Sequence, residues 1–420
     1  MLTFEQYINE QRIDELSSDL LKRAAIAAKN RNAGKVDART RRFEKAAIDA
    51  LKREIAQSEI DTTDMPASKN TQKYELYKQE GNLWRIRALK DIKLSSGNII
   101  KAGTIGGLVG SENTLSQDGM CWIFEGAQVD SYAKVYGDAE VYGNAHVYNN
   151  AKVYGDAKVY NNAKVYGDAE VYGNAQVYGD AKVWWFAEVY DNAAVYGNAN
   201  VRNSKVYNDA KVYGKARIDS DSHSDGESKI YGSAQVYDNA KVFSNAQVYG
   251  QATVCGNAKV NSNAWVYGNA KIYDNADIEN AKVYENAKVY GKAYIHDSAK
   301  IYGKAEVYGN AEVTDSVNIY GDAKVYDKAR ISDNAKIYDA AQVFNNALVY
   351  GYAQVFHEAK VYGEAKVYRR AIIHGNAKVY GTAEVGDDVE VCDNAIVCGD
   401  ANVFGKVIIQ DNDKVDYDID

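Results

Sequence analysis

Ala151-Lys152-Val153-Tyr154-Gly155-Asp156-Ala157-Lys158-Val159-Tyr160 opens two successive copies of a six-residue unit that decides the fold. The unit, Ala-x-Val-Tyr-Gly-Asp/Asn, runs almost unbroken from Ala127 to Ile409. Its aliphatic anchor steps by six from Val129 through Val135 and Val141 to Val201. The series resumes at Val206 after a step of five, runs to Ile278, and takes a second step of five to Val283. Of the 48 anchor slots to Ile409, only Ser224 is not aliphatic. A period this strict is a solenoid, in which each repeat packs only on its neighbours.

Within one unit the side chains alternate across a short strand, so Ala151 and Val153 share one face and Lys152 and Tyr154 the other. A narrow interior accepts small and β-branched residues, so Ala and Val point inward. Gly-Asp or Gly-Asn then turns the chain, because these residues tolerate positive φ. Aliphatic, any three, small, any one resembles the hexapeptide repeat of left-handed parallel β-helices, although that family's small residue after the aliphatic one is Tyr here. The resemblance implies three hexads per triangular coil of 18 residues. At a strand spacing of roughly 4.8 Å, about 16 coils would make a rod of about 77 Å. Handedness comes from the resemblance alone, since parallel crossovers are ordinarily right-handed.

Composition fits this reading. One Pro in 420 residues is few, as a parallel ladder that needs its N–H groups requires. Cys121, Cys255, Cys392 and Cys398 show no metal-type spacing, and Cys392 and Cys398 fall in the same slot of consecutive hexads, hence on neighbouring faces. A reducing compartment suits them better than a disulfide scaffold. No segment is apolar and long enough to span a membrane, and no signal peptide opens the chain. A net charge of -8 argues against indiscriminate nucleic-acid binding.

The expected organisation is a helical, partly basic region over 1–60, a linker over 61–70 and a β-hairpin cap over 71–126. The β-helix follows over 127–410, and an acidic tail over 411–420 leaves the repeat. From Lys22 to Arg53 there are 11 Lys/Arg against three Asp/Glu. A solvated helical hairpin explains them, and so does contact between residues 22–53 and nucleic acid or an acidic protein surface. Gln79-Glu80-Gly81-Asn82, between Lys73–Tyr77 and Leu83–Leu89, signals a hairpin. A solenoid end needs such a non-repeating cover.

Lys101-Ala102-Gly103-Thr104-Ile105-Gly106-Gly107, Asn113-Thr114-Leu115-Ser116-Gln117 and Cys121-Trp122-Ile123 resemble the opening segment of the bacterial YdcK-like proteins. Those hexapeptide-repeat proteins are described as acyltransferases, and phage chains share the segment. The resemblance covers about residues 73–126, with the rod following. Met1-Leu2-Thr3-Phe4-Glu5-Gln6-Tyr7-Ile8-Asn9-Glu10 resembles the capsid-targeting peptide of internal head proteins in T4-like phages, with Phe4, Tyr7, Ile8 and Glu10 in the matching places and Leu2 for the usual Lys. That resemblance implies cleavage after Glu10 and location in the capsid interior or, before packaging, the cytoplasm of a bacterial host.

Chemistry-bearing residues are scarce. An acyltransferase of this repeat class needs a His base in a cleft between subunits. His296 and His374 stand in the outward Tyr slot, His146 in the outward Lys/Glu slot and His357 at a corner. His223 is the one weak catalytic candidate, with Asp221 or Asp225 as partner, inside the polar break Asp219–Ser228. Asp221, His223, Asp225 and Gly226 mimic part of an EF-hand loop, but Gly232 stands where its bidentate acid belongs. The three-histidine zinc site of related carbonic anhydrases is not expected, since no histidines recur at its close spacing. Neither a metal nor a cofactor is expected.

Of 35 Tyr, 28 occupy the slot after the anchor. An 18-residue coil stacks Tyr136, Tyr154, Tyr172 and Tyr190 in one column and Tyr142, Tyr160, Tyr178 and Tyr196 in another; Tyr148, Tyr166 and Trp184 begin a third. Ladders of this kind stabilise a sheet. Trp184-Trp185-Phe186 puts aromatics in both corner positions and is the expected binding patch, for a partner subunit or a ligand. The sequence therefore favours a non-catalytic structural or interaction rod. The alternative is an acyltransferase using an acyl-CoA-type donor, which should form a trimer.

Overall fold

The computed structural model describes residues 72–220 and 226–419. The expected helices over 1–60, the linker, the basic segment 22–53, Glu10 and His223 with Asp221 and Asp225 lie outside the described residues. The described residues form an all-β parallel solenoid of about 17 turns, with no helix.

Each hexad supplies a strand of two or three residues to one of three faces. The first face contains Gln128–Val129, His146–Val147 and Lys164–Tyr166; the second Lys134–Val135 and Lys152–Val153; the third Glu140–Val141 and Lys158–Val159. Neighbours along a face pair in parallel at a register of 18, as in Val135 with Val153 and Val153 with Val171. Lys152 N donates to Ala169 O at 2.9 Å and Tyr154 N to Val171 O at 3.0 Å, so each strand is bonded to the coil that follows. The Ala and Val anchors are both fully buried, as Ala151 and Val153 illustrate.

The corners explain the Gly-Asp pair. Gly155 has φ +68°, and a Cβ there would stand 2.9 Å from Gly173 N in the next coil. Where Asp or Asn replaces Gly, the side chain can add a bond between coils: Asp315 Oδ2 accepts from Asp333 N at 3.1 Å, and Asp333 Oδ2 from Gly351 N at 2.9 Å. The left-handed backbone is least costly for these residues.

Both five-residue steps are shortened corners. Asn203 and Asn280, at φ 48° and 52°, each do the work of Gly-Asp, while Val189 still pairs with Val206 and Val266 with Val283. Around Ser224, which lies outside the described residues, the flanking anchors keep their faces. Ile218 pairs with Val242 and Ile230 with Val206 and Val248, so twelve residues turn a single corner.

The count of turns exceeds the expected 16 because the solenoid continues beyond the repeat at both ends. β1 (Tyr74–Glu80) and β2 (Leu83–Ala88) form the hairpin, with Gly81-Asn82 at its tip. β3 (Ile92–Lys93) and β4 (Ile99–Ile100) pair with each other. β5 (Ile105–Val109) is antiparallel to β2 yet parallel to Gln128–Val129. Leu115 bridges to Val135, and β6 (Trp122–Ile123) pairs with Glu140–Val141. Val109, Leu115 and Ile123 thus anchor a first turn written without the repeat. Inside it the buried Lys73 ammonium donates to Cys121 O at 3.0 Å and Asp118 O at 3.2 Å, and Tyr74 Oη donates to Leu115 O at 2.6 Å. At the other end Lys414–Val415 pairs with Ile396–Val397 and Ile419 bridges to Val403, so the ladder runs on into the acidic segment. At about 4.8 Å per turn, 17 turns give about 82 Å.

Candidate functional site

The slot after the anchor distinguishes the faces. On the second face, stacked rings run unbroken from Tyr136 to Tyr338, then Phe356 and His374; the Tyr136–Tyr154 centroids are 4.7 Å apart and the Phe356–His374 centroids 4.9 Å. The third face stacks Tyr142 to Tyr237, has Cys255 in the next place, and resumes from Tyr273 to Tyr380. Burial raises the phenol pKa along both ladders, to about 12 at Tyr136 and Tyr160. At Tyr154 and Tyr172 the shift is larger, from burial first and from Glu170 and Glu188 as well.

The first face is different. Its ladder of Tyr148, Tyr166 and Trp184 gives way to Arg202, Asp219, Phe243, Asn261, Glu279, His296, Thr314 and Ser332 before Tyr350 and Tyr368 restore it. The edge from this face to the second carries both shortened corners, the twelve-residue step from Ile218 to Ile230 and the Trp184–Phe186 cluster. Irregularity is concentrated on one edge of the rod.

Trp184 continues the ladder 5.5 Å from Tyr166, donates Nε1 to Asn200 Oδ1 at 2.7 Å and lies 5.4 Å beneath the Arg202 guanidinium. It is thus held as part of the sheet. Trp185 and Phe186 turn outward, 45% and 55% exposed, with ring centroids 6.2 Å apart. Trp185 has φ +58°, in the position Gly fills one coil earlier at Gly167. A bulky residue in the left-handed region costs about 1–2 kcal/mol relative to glycine.

Two coils beyond Trp184, Asp219 is nearly buried between Arg202 Nε at 2.5 Å and Arg217 Nη2 at 2.7 Å. Behind it Ser204 and Ser228 take Ala slots, and Ser220 Oγ accepts from Ser228 N at 2.6 Å and lies 3.2 Å from Ser204 Oγ. These buried hydroxyls are satisfied by one another and by Asp219 O, which ties Ser220 to Ser228 across the long corner.

The described histidines sit where their slots put them. His146 Nε2 is 3.2 Å from Asp130, and His357 occupies a left-handed corner. His296 stacks on Tyr294, with Nδ1 2.8 Å from Asp297 Oδ2 and 3.3 Å from Thr314 Oγ1. Where Thr314 and Ser332 replace rings, a shallow depression opens between Glu312, Arg330, Leu348 and Tyr350.

Stacking also assembles a group that linear spacing hid. His374 Nε2 lies 2.9 Å from Glu390 Oε1, and ligand atoms of His374, Glu390 and Cys392 all lie within 4.8 Å of one another. The signal was available in the coil length: residues 16 and 18 apart are neighbours on one face. Burial, with Asp393 and Glu390 beside it, raises the Cys392 thiol pKa. The chain matches no family model and no curated protein.

Proposed function

We propose that the chain is a non-catalytic β-solenoid whose rod presents a partner-binding edge, centred on Trp184, Trp185 and Phe186. The carrying observation is the Trp185 backbone. Most equivalent corner positions hold Gly, Asn, Asp or Ser, residues that accept the left-handed backbone more readily than a bulky aromatic, so an exposed Trp here carries a cost in stability. Exposed, mutually packed aromatics suit protein contact, with a second copy or another chain. The resemblance of Met1–Glu10 to capsid-targeting peptides supports a phage-encoded protein packaged in the head. Mass spectrometry of purified virions tests this: the chain with a mature N-terminus at Gln11 is expected. Its absence from virions that assemble in cells containing the protein rejects packaging.

The second reading is acyl transfer from an acyl-CoA-type donor. It is favoured by the His296–Asp297 pair beside the depression at Thr314 and Ser332, a base with an orienting carboxylate. CoA binding measured by calorimetry, with transfer lost in His296→Ala, selects this reading over the first.

A further inference from the structure

We propose that His374, Glu390 and Cys392 form a zinc site on the second face, near the C-terminal end of the rod. The three bring imidazole nitrogen, carboxylate oxygen and sulfur together, the donor set of a borderline-soft divalent cation. Tetrahedral zinc at its usual bond lengths of about 2.0–2.3 Å sets its donors roughly 3.5 Å apart. Atoms already within 4.8 Å need to close by about an ångström, within reach of χ rotations of outward-pointing side chains.

Three features set this group apart from the repeat around it. First, the ladder changes character here: His374 is its final ring, stacked on Phe356, and Cys392 takes the next ring position. Second, Glu390 lacks the lysine that such glutamates have elsewhere. Glu170 pairs with Lys152 at 2.9 Å and Glu306 with Lys288 at 2.8 Å, whereas Glu390 is flanked in its column by Ile372 and Ile408 and meets only His374. Third, Asp393 lies 3.8 Å from the Cys392 sulfur, so negative charge accumulates, and among the described residues no lysine or arginine pairs with Glu390, Cys392 or Asp393. A divalent ion supplies that missing charge, and a water completes its fourth position.

Cys398 is an internal control. It takes the same ladder position on the third face, below Tyr380, but its outward neighbours are Ile396, Lys414 and Asp416, and the Asp416 carboxylate is already paired with Lys414 at 3.3 Å. A cysteine at a ladder end therefore does not define the site; the His-Glu-Cys combination does.

The full-length chain, stripped with chelator and kept reduced, is titrated with Zn(II) by calorimetry and with Co(II) by absorbance. The expected result is one equivalent per chain, with a thiolate-to-cobalt charge-transfer band. His374→Phe preserves a ring on Phe356 and should weaken binding by at least about 100-fold, since even outer-shell changes cost 10–100-fold. Cys392→Ser should abolish the charge-transfer band, and Cys398→Ser should leave both readouts unchanged. Circular dichroism establishes that each variant is folded. Absence of stoichiometric uptake by the wild-type chain overturns the proposal, as does uptake that survives both His374→Phe and Cys392→Ser.

Discussion

Tyr154 shows how one slot can serve packing and electrostatics together. Its ring stacks on Tyr136 and Tyr172 at 4.7 and 4.8 Å, and its hydroxyl donates to Glu170 Oε2 at 2.9 Å. Tyr154→Phe keeps both stacks and loses a charge-assisted hydrogen bond, so a destabilisation of about 1–2 kcal/mol is expected. Tyr154→Ala also removes two ring contacts and should cost about 2–4 kcal/mol in chemical denaturation. The same burial makes the rod sensitive to alkali. A phenol whose folded pKa is raised contributes stability fully below its unfolded pKa of about 10 and loses it as pH rises through the folded value. For Tyr136, Tyr160, Tyr190 and Tyr207, raised to about 12, that window is about pH 10–12. Phenolate absorbance should therefore lag free tyrosine and then rise together with loss of β-structure; titration near pH 10 without unfolding would contradict the ladder argument.

At the scale of strands and corners, nearly all of the rod could be read from sequence because its contacts repeat. Val153 pairs with Val135 and Val171 for the same reason that every anchor pairs, and the outward Tyr columns follow once the coil is 18 residues long. What could not be read was written outside the period. Val109, Leu115 and Ile123 form a turn with unequal spacing, and Lys414–Val415 has lost the flanking Ala-Tyr pattern. Trp184–Phe186 announced itself by residue type, whereas His374, Glu390 and Cys392 each looked like an isolated substitution until stacking joined them. The corner at Ser224 offers a direct test of the coil path. Deleting residues 221–226 leaves Ile218-Asp219-Ser220-Glu227-Ser228-Lys229-Ile230, a regular hexad between two anchors. Ser220 and Ser228 keep their buried bond, and a long closure is removed at little entropic consequence. The variant should fold with a melting temperature within a few degrees of wild type; collapse of the rod would show that the twelve residues do more than turn a corner.

For the whole solenoid, each turn touches only the turns before and after it, so stability is a chain of local terms rather than one global core. A lesion should then act according to where it falls. Val248, fully buried, sits between Ile230 and Val266, whereas Val415 lies in the last turn. An unpaired carboxylate at either inward position is a mechanism of severe destabilisation, about 4 kcal/mol or more where burial is complete. Val248→Asp should open the middle of the rod, accelerating hydrogen exchange in the flanking coils while Val153 and Val355 stay protected in their own segments. It should also split one denaturation transition into two. Val415→Asp should accelerate exchange only near Ile396–Ile419 and leave the main transition in place. Equal, rod-wide loss of protection in both variants would mean that the turns unfold as a single cooperative unit, and the nearest-neighbour account of this solenoid would fail.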